Sequence, residues 1–264
     1  MSFSALDISI IGPALLAGVL VLSTHVPLGR EVLARGIIFI DLAVAQTAGL
    51  GVIAAASLGW DTHGVWAQLA AVTAALAAGL LLTWTERRFE EVQEAIIGAL
   101  FVLAATGGIL LLANHPRGGE ELRDLLIGQI LWVDVHTLGP AAVVSGVVLA
   151  LWFAARRALG RTGFYLLFAL AVTVSVQLVG IYLVFASLIV PALATRELDE
   201  RLALPLAFTI GLAGYVAGLL MSTVFDLPTG AVIVWSLAVV AIVAASARRR
   251  LSLSRTTATA TRER

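Results

Sequence analysis

The sequence predicts an all-α, polytopic integral membrane protein with about eight or nine transmembrane helices. Of its 264 residues, 60% are hydrophobic and only 13% are charged, and the mean hydropathy is +1.00. A soluble chain of this length could not hide that much apolar surface in one core. The apolar residues also fall into runs of about twenty, which is the length of helix that crosses a bilayer core of about 30 Å.

Eight apolar runs follow one another along the chain, and each is bounded by a segment rich in charge, glycine or proline. In chain order these boundary segments read HVPLGREVLARG, GWDTHG, TERRFEEVQE, NHPRGGEELRDLLIG, ARRALGRTG, ATRELDERLALP and FDLP. Charges and helix breakers of this kind favour loops over membrane spans. The predicted spans are residues 8–25, 37–57, 65–84, 95–113, 130–155, 164–190, 203–224 and 229–247.

These runs divide the chain into one membrane domain and one tail. Residues 1–247 contain all the apolar runs and form the predicted transmembrane domain. Residues 248–264 read RRRLSLSRTTATATRER, which is basic and rich in serine and threonine. Because such a segment has little apolar surface to bury, we predict a disordered cytoplasmic tail.

Arginine placement sets the orientation and leaves two alternatives. Arginines occupy the first, third and fifth boundary segments but not the second or the last, so the positive-inside rule places the N-terminus outside. Arg196 and Arg201 would then lie outside if residues 164–190 cross the membrane once. Either this segment is two half-helices broken near Gln177–Gly180, with both ends on one side, or one arginine segment lies outside.

Missing residue types exclude several functions. The chain has no cysteine, so disulfides and thiolate metal sites are excluded. It also has no lysine, which a Walker-type phosphate loop needs to reach the β- and γ-phosphates. If the protein uses ATP, a partner must bind it. A net charge of zero does not suggest nucleic-acid binding, and no catalytic triad or carboxylate pair is recognisable, so we do not expect an enzyme.

Three polar side chains interrupt the apolar runs. Asp41 and Gln46 lie in the second run, about 9 and 16 Å beyond Arg35 along a helix, and an ionised residue at a span's centre costs roughly 2.5–3.5 kcal/mol on insertion scales. Asp41 therefore either lines a substrate pathway, or it forms a salt bridge with Arg30 or Arg35 or a hydrogen-bonded contact with another helix. Gln46 either lines that pathway or forms a hydrogen bond with a neighbouring helix. Gln177, beside the expected break, either lines the pathway or caps freed backbone groups.

Five stretches of the chain carry a resemblance to a known family. They are IDLAVAQTAGLG, which follows Arg35, then QEAIIGALFVLA, DLLIGQILWV, VGIYLVFASLIVPALAT and DLPTGAVIV. In this order they resemble the permease subunit of ATP-binding-cassette importers of the zinc, manganese and iron type. The resemblance implies the membrane subunit of an ATP-driven importer, working as a homodimer with cytoplasmic ATP-binding subunits and an extracytoplasmic solute-binding protein. It also implies a prokaryotic inner membrane, a divalent metal ion as substrate and no permanently bound cofactor.

The resemblance also implies a metal-binding pair in the second span, and the sequence departs from that pair. In the family an aspartate and a histidine lie one helical turn apart; here the aspartate falls on Asp41, but the histidine falls on Ala45. Gln46 lies about 140° from Asp41 around a helix, rather than about 40°. We assign Asp41 as a metal ligand and place Asp41, Gln46 and Gln177 in the substrate pathway. Whether Gln46 replaces the histidine stays open.

The segment from Pro191 to Arg201 resembles the family's coupling helix, which docks into a cleft of the ATP-binding subunit. Pro191 interrupts an apolar run, and ATRELDER after it predicts a short charged helix before the next span. The alternative is an ordinary cytoplasmic loop. The residues assigned to coupling are Pro191, Arg196, Glu197, Asp199, Glu200 and Arg201.

Other functions stay open at this point. An importer of this kind would also suit a metal chelate or another small solute. An ATP-independent secondary transporter would use Asp41 as a proton site, although the resemblance to a coupling helix counts against it. A membrane scaffold or sensor without transport activity would not need polar residues at the middle of its helices.

Overall fold

The computed structural model describes the backbone of residues 8–62, 64–113, 115 and 118–262, and these residues form helices joined by short turns. Eight helical segments within them are long and apolar enough to cross a membrane, and one further apolar helix, Ile181–Ala194, is shorter. The predicted fold class and the predicted number of spans are therefore confirmed.

The helices follow one another with few intervening residues. A 3₁₀ turn, Glu90–Val92, precedes the fourth helix, and a second one, Ile130–Trp132, follows the fifth. The helices are α1 (Ile8–Arg35), α2 (Ile40–Ser57), α3 (Val65–Arg88), α4 (Gln93–Leu112), α5 (Gly118–Ile127), α6 (Val135–Val179), α7 (Ile181–Ala194), α8 (Glu200–Phe225) and α9 (Thr229–Arg262).

Helix α6 consists of two spans that meet at a kink. Gly160 has φ 56° and ψ −160°, outside the helical region, and its positive φ favours glycine. The two candidate spans within α6 are Val135–Ala155, called α6a here, and Ala158–Val179, called α6b, and the kink lies in the first turn of α6b. Two-thirds of the apolar window of α6b is buried, whereas the corresponding share in α4 is about one-fifth. Helix α6b is therefore the central helix of the bundle.

Three boundaries differ from the sequence predictions. Helix α1 continues to Arg35, through Pro27, where a loop was predicted after residue 25; membrane helices tolerate proline because neighbouring groups satisfy the freed backbone. Helix α5 is amphipathic and lies in a segment that was predicted to be a loop. Helix α9 extends over positions 248–262, so the backbone of the expected disordered tail is helical there, whereas the division into domain and tail stays a prediction.

The break predicted near Gln177–Gly180 is confirmed at Gly180, which separates α6b from α7 with φ 80° and ψ 164°. Gly128 packs directly on this break, so a side chain on Gly128 or Gly180 would overlap the other residue's backbone. The first piece is a full 22-residue span rather than the short half-helix that was predicted. The 14 residues of α7 extend only about 21 Å, which is less than a bilayer core of about 30 Å.

The contacts of Arg30, Arg35 and Arg87 bring the first, third, fifth and sixth boundary segments together at one end of the bundle, whereas Arg123 of the fourth segment lies beside Leu227 and Pro228. Arg30 at the end of α1 donates to the carbonyl oxygens of Thr195 and Leu198, each at 3.1 Å. Arg87 donates to Thr162 Oγ1 at 2.8 Å. We call this the arginine end, and the positive-inside rule places it in the cytoplasm. Helices α6b and α7 therefore begin and end on one side, which is the first of the two predicted alternatives.

The bundle has two groups of helices on either side of α6b and α7. Helix α2 packs against α3 and α4, while α1 packs against α6b, α7 and α8, and α9 covers α7 and α8. Close approach is visible at Gly51, where an added Cβ would lie 2.7 Å from the carbonyl oxygen of Ala70. Large apolar side chains such as Leu110 and Trp235 are exposed on the outer helices, where lipid would cover them.

Candidate substrate pathway

Asp41 is a fully buried carboxylate in the first turn of α2. Its exposed fraction is 0%, and neither carboxylate oxygen has a hydrogen-bond partner among the residues that the structure describes. The start of a helix carries a partial positive charge from its free backbone N–H groups, which favours an acid there. Removing an ion from water still costs several kcal/mol in real proteins, and a partner normally compensates for it. Asp41 is thus available to bind a cation.

The salt bridge considered for Asp41 is not formed, because both nearby arginines are engaged elsewhere. Arg35 Nε donates to Glu31 Oε1 at 2.8 Å, and its guanidinium carbon lies 4.2 Å from the centre of the Phe164 ring. Arg30 binds the two backbone carbonyls at the arginine end. The alternative that Asp41 forms a salt bridge with Arg30 or Arg35 is therefore not supported.

Gln46 is buried in the same helix but does not share a face with Asp41. Its exposed fraction is 5%, and α2 is a continuous helix from Ile40 to Ser57. Because the helix is regular, Gln46 points about 140° away from Asp41, whereas Ala45 lies about 40° away. Ala45 is buried and has no ligand atom. Gln46 therefore does not take the place of a histidine beside Asp41 within this helix.

The neighbourhood of Asp41 does not form a closed metal cage. Within the described parts of the chain, no group of three or more histidine, cysteine, aspartate or glutamate side chains lies close enough together to hold a metal ion. A transport site must release what it binds, and weak sites with few protein ligands serve that purpose. A single buried carboxylate, completed by water or backbone oxygen, is consistent with passage rather than storage.

Gln177 lies next to the break but on the outer surface of the chain. Its side chain is exposed, and backbone groups cap the break themselves, since Gly180 N donates to Val176 O at 2.8 Å and Val184 N donates to Gly180 O at 3.1 Å. The capping alternative is therefore not seen. Its place in a substrate pathway stays a prediction that requires a second chain or another conformation.

His25 is a buried titratable side chain that the sequence analysis did not select. It is fully buried in α1, with Nδ1 3.0 Å from both Val21 O and Thr24 Oγ1, while Nε2 has no partner among the described residues. The sequence prediction ended the first span at residue 25, ahead of Pro27, and so placed this histidine at a membrane surface. An apolar stretch that continues beyond a proline was the signal that could have revealed it.

A second buried polar cluster, at the arginine end, has its partners in place. Gln93 is 4% exposed, and its Nε2 donates to Leu82 O at 3.0 Å and to the Tyr165 hydroxyl at 3.4 Å. Its Oε1 accepts a hydrogen bond from Thr85 Oγ1 at 2.9 Å. We call these four residues the Gln93 cluster. It ties α3, α4 and α6b together.

The segment assigned to coupling is a turn rather than a helix. Helix α7 continues through the buried Pro191 to Ala194, residues 195–199 form turns, and α8 begins at Glu200. The predicted short charged helix is therefore wrong, because α7 and α8 take up its ends. The charged side chains are exposed at the arginine end and are those of Arg196, Glu197, Asp199, Glu200 and Arg201.

Comparison with known proteins matches nearly the whole chain to one family. A sequence model described as the ABC 3 transport family matches residues 7–164 and 159–248. The manganese transport system membrane protein MntC of Halalkalibacterium halodurans is 28% identical over 250 residues, which cover 87% of this chain and 84% of that protein. The protein of the same name from Listeria monocytogenes is 26% identical and covers 78% of this chain and 79% of its own.

Two solved structures share the fold. PsaBC from Streptococcus pneumoniae, in complex with Fab, matches with a TM-score of 0.72 and 21% identity, covering 89% of this chain and 90% of that chain. An inward-facing conformation of a putative metal-chelate type ABC transporter matches with a TM-score of 0.61 and 17% identity, covering 84% and 80%. At these identities the likeness concerns the arrangement of helices.

Proposed function

The chain belongs to the ABC 3 transport family, and on that premise we propose that it is the membrane permease of an ATP-driven importer of a divalent metal ion: zinc, manganese or iron. The observation that carries this proposal is the buried, unpartnered carboxylate of Asp41 in the second span. Relatives named as manganese transport proteins support a divalent cation as the substrate.

The carboxylate would act on the passing ion through its charge. In a low-dielectric surrounding, a charge is weakly screened and attracts an opposite charge more strongly than in water. Asp41 has no competing cation within hydrogen-bonding reach among the described residues, so a metal ion would not have to displace an arginine. Water and backbone oxygen would complete the ion's coordination and exchange as it moves on.

The partners that we propose follow from the absence of lysine and from the two ends of the helix bundle. Since the chain lacks lysine, ATP would be bound by a separate cytoplasmic subunit. That subunit would dock on the exposed charged turn between Arg196 and Arg201 at the arginine end. A solute-binding protein would deliver the ion at the opposite end, and two copies of the chain would form a homodimer in a prokaryotic inner membrane.

A second candidate substrate is a metal chelate, and Ala45 is the observation that favours it. An alanine in place of the family's histidine removes one imidazole ligand beside Asp41. A metal that brings its own ligands needs fewer from the protein. A secondary transporter that uses Asp41 as a proton site has no comparable observation in its favour.

Reconstitution tests this proposal. The chain, its ATP-binding subunit and its solute-binding protein are placed in proteoliposomes, and uptake of Mn²⁺, Zn²⁺, Fe²⁺ and their chelates is measured by mass detection. We expect ATP-dependent uptake of at least one free ion, and no ATP hydrolysis by the purified chain alone. Uptake without the ATP-binding subunit, or hydrolysis by the chain itself, would contradict the proposal. Uptake of chelates only would favour the second candidate.

A further inference from the structure

The end of α7 keeps every backbone carbonyl satisfied at the arginine end. The last four carbonyls of a helix have no partner within it. Here the Thr195 hydroxyl donates to the carbonyls of Pro191 and Ala192, at 3.0 and 3.3 Å, and the Arg196 amide donates to the carbonyl of Leu193 at 3.4 Å. The fourth carbonyl, that of the final helical residue, receives its hydrogen bond from another helix.

That hydrogen bond comes from Arg248 in α9, whose Nη1 donates to the carbonyl oxygen of Ala194 at 2.7 Å. A cation at a helix C-terminus is favourable because the free carbonyls there carry a partial negative charge. Because α9 and α7 are separated by the whole of α8 along the chain, this contact joins two elements that no short connection links.

Arg30 in α1 binds the turn that follows α7. Its Nη1 donates to Thr195 O and its Nη2 donates to Leu198 O, each at 3.1 Å. The two carbonyls belong to the two ends of the turn, so one planar guanidinium spans it. Lysine could not reproduce this geometry, since its ammonium is a compact point charge without the rigid fork. We call Arg30, Arg248 and the turn 195–199 the arginine clamp.

The two sides of the arginine clamp differ in how firmly they are attached. On the α1 side, Gly29 packs so closely on the Leu188 carbonyl of α7 that an added Cβ would overlap it. On the α9 side, an open groove of about 440 Å³, lined by residues that include Val190 and Ile242, lies beside Arg248. Arg30 therefore sits beside a close contact between the backbones of α1 and α7, whereas Arg248 sits beside an open groove.

We propose that Arg30 and Arg248 are positioning residues that transmit displacement of the turn to α1 and α9. The inference rests on the proposed function, in which the exposed charges of the turn meet the ATP-binding subunit. A displacement of the turn reaches α1 through the two hydrogen bonds of Arg30, and it reaches α9 through the end of α7, where Arg248 binds the Ala194 carbonyl. Because α1 packs on α6b and α7, movement of α1 reshapes the centre of the bundle.

The test compares ATP consumption with transport in the complete complex. Arg30→Gln, Arg30→Lys and Arg248→Gln are reconstituted with the ATP-binding subunit and the solute-binding protein, and ATP hydrolysed per Mn²⁺ imported is measured. Arg88→Gln is the matched control, because Arg88 is an exposed arginine at the same end. Melting temperature and complex assembly are recorded for each variant.

We expect both Arg30 variants to raise the ATP used per ion at least about fivefold, the lower limit of typical coupling between sites, with the complex still assembled. Arg248→Gln should raise it less, and Arg88→Gln should leave it unchanged. Arg30→Lys keeps a cation at the carbonyls, so it provides a folded variant if Arg30→Gln is unstable. A wild-type ratio in Arg30→Lys, or uptake and hydrolysis that fall together with the amount of folded protein, would overturn the clamp. A wild-type complex without ATP-dependent uptake would overturn the proposed function itself.

Discussion

The Gln93 cluster and the surroundings of Asp41 are both buried polar regions of the same bundle, yet only one is complete. Gln93 is 4% exposed and makes hydrogen bonds through both its amide nitrogen and its amide oxygen. Asp41 is 0% exposed, and neither of its oxygens has a partner within the described residues. Buried polar groups are almost always hydrogen-bonded, and an exception requires an explanation.

We interpret the two regions as having different roles: the Gln93 cluster stabilises the fold, and Asp41 serves transport. A satisfied polar cluster holds helices in register, because breaking it leaves buried groups without partners. A carboxylate without a partner contributes nothing of this kind and costs desolvation energy. The fold tolerates that cost at Asp41, which we attribute to a cation that binds there during transport. Mutations in the two regions should therefore change different measurements.

Asp41→Asn should produce the largest effect, on uptake. At about 4 Å and an effective dielectric constant of 20, a unit charge pair gains about 4 kcal/mol, and we expect a part of that to be lost, corresponding to an uptake about 10–100-fold lower. The melting temperature should stay the same or rise, since a buried charge without a partner is removed. Asp134→Asn is the control, because Asp134 is exposed. A lower melting temperature with a proportionate loss of uptake would instead make Asp41 a structural residue.

Gln93→Ala should produce the opposite pattern. It removes the hydrogen bonds of Gln93 with Thr85, the Leu82 carbonyl and the Tyr165 hydroxyl, and an unsatisfied buried group costs about 1–3 kcal/mol. We expect a lower melting temperature and unchanged uptake per folded complex. Gln129→Ala changes an exposed glutamine and should alter neither quantity. A lower uptake by Gln93→Ala at an unchanged melting temperature would contradict the distinction between the two regions.

Gln46→Ala should produce the smallest effect. Gln46 offers only a dipole, and it points away from Asp41 around a regular helix. We expect uptake to fall less than in Asp41→Asn, by no more than about threefold, which corresponds to less than 1 kcal/mol. The measurement is initial Mn²⁺ uptake at equal amounts of assembled complex. A loss as large as that of Asp41→Asn would mean that Gln46 belongs to the same binding site.

The features that could be predicted from the sequence are those that follow from apolar length and charge. Runs of about twenty apolar residues predict the eight spans, and the arginines at 196 and 201 leave two alternatives, one of which is the break that the structure shows at Gly180. The break was one of the two alternatives because two arginine segments cannot lie on one side when a single span separates them.

The remaining features depend on tertiary contacts that a pattern does not show. Pro27 was interpreted as the end of a span, but α1 continues through it to Arg35, and His25 is buried as a result. The segment 195–199 was predicted to be helical from its charges, whereas the structure shows a turn whose carbonyls at Thr195 and Leu198 accept hydrogen bonds from Arg30. The absence of a partner for Asp41 also became apparent only once Arg35 was seen to bind Glu31.

The most direct test of the central claim, that Asp41 is kept free for a cation, is the thermal unfolding of the reconstituted complex with and without Mn²⁺. A ligand that binds only the folded state raises its melting temperature in a saturable way. We predict that Mn²⁺ stabilises the wild-type complex but not Asp41→Asn, and that without the ion the variant is at least as stable as the wild type. An equal response of both proteins to Mn²⁺, or a variant that is less stable without it, would contradict the account.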